Sequence, residues 1–160
     1  CAASLQLTDG TFRTWEETAL SALDGQALEE ACALAQARGC SLRESLPGIQ
    51  ATLRRHRALR NTPGGYWILD PTGVGISHAR RETVPLSQCR SLFLCTDGLA
   101  QCVGFGLAAD VADLHRRAAE GGMAPLADRF WACQAADPDL EALPRFKRRD
   151  DATGALCQVG

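Results

Sequence analysis

The stretch Ser91-Leu92-Phe93-Leu94-Cys95-Thr96-Asp97-Gly98 constrains the chain most. A short apolar run that stops at once in Thr-Asp-Gly reads as a strand covered on both faces and ending in a tight turn. Such a strand end presents one carboxylate, Asp97, at the rim of a sheet. A second acidic site, Asp150-Asp151, comes just before residues 152–159 (Ala-Thr-Gly-Ala-Leu-Cys-Gln-Val), a predicted last strand. Two carboxylate-bearing strand ends are a simple way to hold a divalent cation between neighbouring strands. The plainer alternative is that Asp97 and Asp150 are turn and strand-start residues.

The same tripeptide occurs earlier as Thr8-Asp9-Gly10, between Leu5/Leu7 and Phe12/Trp15. Asp-Gly between two such runs is a hairpin signal, so Asp9 reads as a turn residue. After a polar connection over 16–25, apolar spacing predicts a helix over 26–38 closed by Gly39. A second helix starts with Ser45 as cap and Pro47 in its first turn, and turns Ile49, Leu53, His56 and Leu59 to one side. Arg54, Arg55, Arg57 and Arg60 on that helix read as a solvated face, with a grip on phosphate as the alternative. Strands are expected over 66–69 and 75–79, around the turn Asp70-Pro71-Thr72-Gly73, with an edge at Thr83-Val84. A short helix follows Gly98, then helices over 109–119 and 125–135, then an irregular basic segment over 140–149. Such a mixture makes an α/β or α+β protein whose helices cover a sheet.

With 160 residues the chain suits one domain spanning 1–160. Its net charge of −2 gives no bulk attraction to nucleic acid or to a membrane surface, and no window approaches the ~18 apolar residues of a membrane helix. None of the eight cysteines pairs at zinc-knuckle spacing, and several lie in apolar segments. Reduced core thiols in a cytoplasm are therefore expected, with disulfides of an exported protein as the alternative. Residue 1 is Cys rather than Met, which reads as a segment of a longer protein. Gly73-Val74-Gly75-Ile76 lacks the Gly-Lys-Ser/Thr ending of a phosphate loop, Cys95 lies inside an apolar run, and His78 and His115 have no evident triad partners. No catalytic side chain is assigned.

Leu94-Cys95-Thr96-Asp97-Gly98-Leu99, taken with Arg148-Arg149-Asp150-Asp151-Ala152-Thr153, resembles the C-terminal half of a metal-dependent type-2C protein phosphatase, closest to the bacterial branch. Arg60-Asn61, Gly64-Gly65-Tyr66-Trp67, Asp137-Pro138, Pro144-Arg145 and Lys147 are similar to that branch as well, so the resemblance runs from about 53 to 157. It implies an α+β fold, a four-layer αββα sandwich of two antiparallel sheets with flanking helices, here without its N-terminal strands. It implies hydrolysis of phosphoserine or phosphothreonine in a protein substrate by water activated on two Mg²⁺ or Mn²⁺ ions. Carried over by position, Asp97 and Asp150 are metal ligands, and Asp151 and Gly98 are supporting or alternative ligands. Arg145, Lys147, Arg148 and Arg149 flank the expected site; they read as favouring an approaching phosphoprotein, with solvated loop charge as the alternative. The family's other acidic motifs and its phosphate-holding arginine belong upstream and have no match before residue 53, so this chain alone is expected to be inactive. A non-catalytic relative that uses the sandwich for binding or regulation is the alternative.

Overall fold

The computed structural model describes residues 1–159. The chain is α+β and divides into two compact units: one of Cys1–Glu16, Thr83–Pro138 and the segment from Lys147 on, the other of Glu17–Glu82 and Asp139–Phe146.

The first unit is built on an antiparallel sheet of β1 (Ala2–Leu7), β2 (Phe12–Glu16), β3 (Cys89–Cys95) and β4 (Gly154–Gln158), in the order β2-β1-β3-β4. The β1–β2 hairpin forms where the sequence places it. Asp9 accepts from the Thr11 backbone N–H (2.9 Å) and hydroxyl (2.7 Å), while Gly10 takes the positive φ of 88° that the turn requires. Alternation along the strands puts Ala2, Ser4, Ser91, Phe93 and Cys95 on one buried face. This face packs with Leu99, Cys102, Val111, Leu114, Ala118, Leu126 and Phe130 into one core. Those residues come from α4 (Asp97–Gly104), α5 (Val111–Gly121) and α6 (Met123–Ala136).

Helical spacing turns Val111, Leu114 and Ala118 inward on α5 and Leu126, Phe130 and Cys133 on α6; all are buried except Cys133, which is half-buried. Asp113, Arg116 and Arg117 pair on the outer side of α5. One expectation for β3 fails. The strand is covered fully on one face and only partly on the other, since Phe93 is fully buried and Leu92 half-buried while Leu94 is 45% exposed. An antiparallel strand alternates in this way when helices lie on a single side of its sheet.

In the second unit the first helix is longer than its apolar spacing indicates. It runs over Thr18–Arg38 (α1), capped by the Glu17 side chain on the Ala19 N–H and stopped by Gly39 at φ 62°. Ala27, Ala31 and Ala35 form its buried stripe, and Ala27 and Ala31 pack with Leu42, Ile49 and Leu140. Ser45 does precede a helical turn, with Pro47 in it, but its hydroxyl makes no cap bond there; an additional cap lies at Ser41. Ser41 and Glu44 form a reciprocal capping box for the short α2 (Leu42–Ser45), and the buried Ser45 hydroxyl donates to the carbonyls of Ala31 and Leu42. Pro47 then lies in a 3-10 turn, Leu46–Ile49, that leads into α3 (Gln50–Ala58).

The strands expected over 66–69 and 75–79 do not form. The Ile68 N–H is taken by the Asn61 side chain (2.8 Å), and Tyr66 makes only an isolated bridge with Arg60. Residues Val74–His78 close into a 3-10 turn through Ile76 N–H to Gly73 O and Ala79 N–H to Ile76 O. Thr83-Val84 is irregular as well. Local side-chain and i→i+3 bonds satisfy this backbone without a neighbouring strand.

Candidate metal centre

Antiparallel pairing of β3 with β4 sets Cys95 opposite Gly154, so the end of one strand and the start of the other share an edge of the sheet. The next residues outward are Thr96-Asp97 on one side and Asp150-Asp151 with Ala152-Thr153 on the other. Thr96 and Thr153 join them. The Thr96 N–H donates to Thr153 O (3.0 Å), and the Thr153 N–H donates to Thr96 Oγ1 (3.0 Å). Thr96 is the N-cap residue of α4, yet its hydroxyl makes no cap bond because it is committed to Thr153.

Asp97 opens the first turn of α4 and is exposed. An acidic side chain is favoured there by the unpaired N–H groups and positive end of the helix. Gly98, the next residue, is buried, and a Cβ there would collide with the Asp151 carbonyl and come within 3.6 Å of Asp150 Cβ. Glycine is therefore what allows the Asp150-Asp151 backbone to lie directly on the start of α4.

Asp150 is held from three directions. Its Oδ1 accepts from Lys147 Nζ (2.7 Å) and from the Asp151 N–H (3.0 Å), and its Oδ2 accepts from Gln101 Nε2 at 3.4 Å. The hydrogen bond to Asp150, followed by the charges of Asp150, Asp151 and Asp97, raises the Lys147 pKa above its ordinary value. All three carboxylates thus act on one ammonium group. Gln101 contributes one more feature: its Oε1 is buried and has no hydrogen-bond partner.

The arrangement suits a hard divalent cation in two respects: its donors are carboxylate and amide oxygens, and a buried amide oxygen beside Asp150 is unpartnered. Among the described residues, however, no three His, Cys, Asp or Glu side chains are grouped to hold a metal ion.

Of the residues singled out by sequence, Asp97, Gly98, Asp150 and Asp151 are brought together at this edge. Arg148 and Arg149 are exposed in the segment leading to it. Arg145 does not fit a role in substrate approach. It is only 4% exposed, with Nη1 donating to Leu143 O (2.7 Å), so its guanidinium serves its own loop. Gln101 and Thr96 went unnoticed as supporting residues. Gln101 follows Asp97 by one helical turn, the spacing that puts both on one side of α4. The Thr96–Thr153 clasp has no local sequence signal.

The thiols behave as small apolar groups. Cys95 and Cys102 are buried in the core, and burial, then the neighbouring Cys95 and Cys133, push Cys102 up to about 11. The eight cysteines are free thiols in this structure. No helix among the described residues is long and apolar enough to cross a membrane. In comparisons with known proteins, no family model, no curated protein and no solved structure matches the chain significantly.

Proposed function

We propose that this chain is the C-terminal part of a metal-dependent serine/threonine phosphoprotein phosphatase of the type-2C kind, acting in the cytoplasm. The observation that carries the reading is that Gly98, next to Asp97, lies against the Asp150-Asp151 backbone at one end of adjacent strands. Clustered carboxylates repel one another, and a cation between them removes the penalty. The sheet with helices on one face corresponds to two layers of an αββα sandwich, and its thinly covered face, bearing Leu94, is where the second sheet would pack.

In this reading Asp97 and Asp150 would hold a Mg²⁺ or Mn²⁺ ion, and Gln101 orients the Asp150 carboxylate. The Thr96–Thr153 clasp fixes the spacing of the two acidic segments, and Asp151 and Gly98 complete the rim. Bound there, such ions would supply an activated water and positive charge for the phosphoryl group. Arg148 and Arg149 attract the phosphorylated protein. The remaining ligands come from an N-terminal segment of the same protein, so the isolated chain is inactive.

The test is phosphate release from a phosphothreonine peptide in Mn²⁺ by a protein that joins this chain to its upstream segment. Asp97→Asn and Asp150→Asn each abolish it; activity that survives both rules the assignment out. One observation favours a second reading, a non-catalytic phosphatase-like binding domain: the Lys147 ammonium already neutralises Asp150. That reading expects no turnover from the longer protein under any metal.

A further inference from the structure

Lys147 stands on the acidic rim as a cation already in place. Its Nζ lies 2.7 Å from Asp150 Oδ1, while its side chain is 65% exposed and that of Asp150 only 20%. The carboxylate is therefore fixed, and its partner is a long arm anchored mainly at its tip.

We infer that Lys147 is a tethered counter-ion that competes with a divalent cation for the Asp150 carboxylate, an inference that rests on the metal-centre reading above. An ammonium donates through three N–H groups, and a hard cation draws on the same oxygen lone pairs. The two cannot share Oδ1, because two positive centres would then lie within about 4 Å of each other. Of the two, Lys147 is free to leave: it is joined to Asp150 three residues away by a mostly exposed ion pair, a weak class of interaction. Asp150 keeps its bonds from the Asp151 N–H and Gln101 when Lys147 swings out. Asp150 is thus paired at rest, and a metal ion enters by displacing the Lys147 side chain. Lys147 lowers resting affinity for metal and keeps the carboxylates from driving one another apart.

Calorimetric titration with Mn²⁺ alone, on the wild-type chain, Lys147→Met and Lys147→Arg, tests the inference. Removing the competing charge in Lys147→Met tightens Mn²⁺ binding by about tenfold or more, while Lys147→Arg stays near wild type. The exposed side chain makes both variants fold, which circular dichroism checks. Wild-type binding with Lys147→Met equal or weaker overturns the counter-ion role and leaves the metal centre standing. No binding by any of the three at about 10 mM Mn²⁺ overturns the counter-ion role, while phosphate release by the longer protein decides the metal centre separately. Binding by Lys147→Met that Asp97→Asn and Asp150→Asn do not weaken places the ion elsewhere and overturns the inference too.

Discussion

Thr96 and Thr153 hold each other at the tip of the sheet, each donating its backbone N–H to the other's oxygen at 3.0 Å. The Thr96 hydroxyl is the hinge of this pair, since it accepts from the Thr153 N–H and also lies 3.3 Å from Thr153 O. Thr96→Val keeps the shape and deletes the acceptor, and is expected to cost about 1 kcal/mol of stability. Thr96→Ser restores most of it. Urea unfolding of the three proteins checks the ranking, and equal midpoints for Val and wild type would leave the clasp without energetic weight.

A buried histidine sets the acid side of the stability profile. His115 on α5 is fully buried, with Nε2 2.8 Å from the Ser91 hydroxyl and Nδ1 3.1 Å from that of Ser4. Ser91 donates onward to Gln6 Oε1 (3.2 Å), so Ser91 accepts from Nε2–H and Ser4 donates to Nδ1. This chain of donors fits the neutral ring, and burial lowers the His115 pKa below its ordinary 6.5. The unfolded state therefore binds the extra proton first. The stabilising contribution is fully present above about pH 6.5 and is lost as pH falls towards the folded-state value. Melting temperatures at pH 7.5 and 5 are expected to drop more for wild type than for His115→Gln, which is less stable at neutral pH but flatter towards acid.

Gly98→Ala is expected to disturb the acidic rim while sparing the core. The added methyl collides with the Asp151 carbonyl, a backbone atom that yields only if the whole 150–153 segment shifts. A loss of about 1–3 kcal/mol, with altered amide signals at 96–101 and 150–154 and unchanged ones in α6, is the outcome to look for by NMR. A variant that leaves the 150–154 signals in place would show that the approach is looser than described.

Thiol reactivity separates the cysteines by depth. Cys1 and Cys157 are exposed, whereas Cys95 and Cys102 are buried and Cys102 is pushed up to about 11. With a disulfide reagent at pH 8, Cys1 and Cys157 react quickly, and Cys95 and Cys102 wait for unfolding. Fast labelling of Cys102 in the folded protein would contradict the packing between β3, α4 and α6.

Two copies of Thr-Asp-Gly show what the chain discloses in one dimension and what it withholds. At 8–10 the glycine turns the backbone into the left-handed region and the aspartate folds back on Thr11, as a hairpin signal demands. At 96–98 the glycine is helical and serves instead as empty space for residues 150 and 151. Periodicity alone located α5 and α6 and their buried sides, because helical spacing is a local property. The region 61–79 misled it. Apolar residues such as Ile68 and Ile76 look strand-like, yet Asn61 and Gly73 supply local bonds that no hydropathy pattern encodes. Arg145 was misplaced for the opposite reason, since only tertiary packing could bury a guanidinium in a run of basic residues.

The side-by-side course of β3 and β4 has a consequence for how such a chain can change over time. The spacing of Asp97 from Asp150 is set by a ladder and two threonines, not by the count of residues joining them. Insertions or deletions in the joining segment can accumulate without moving either carboxylate, provided the helices it contains still cover Phe93. Descendants of this chain should therefore diverge in length in the loops around α5 and α6 while keeping those helices and a handful of letters at each end.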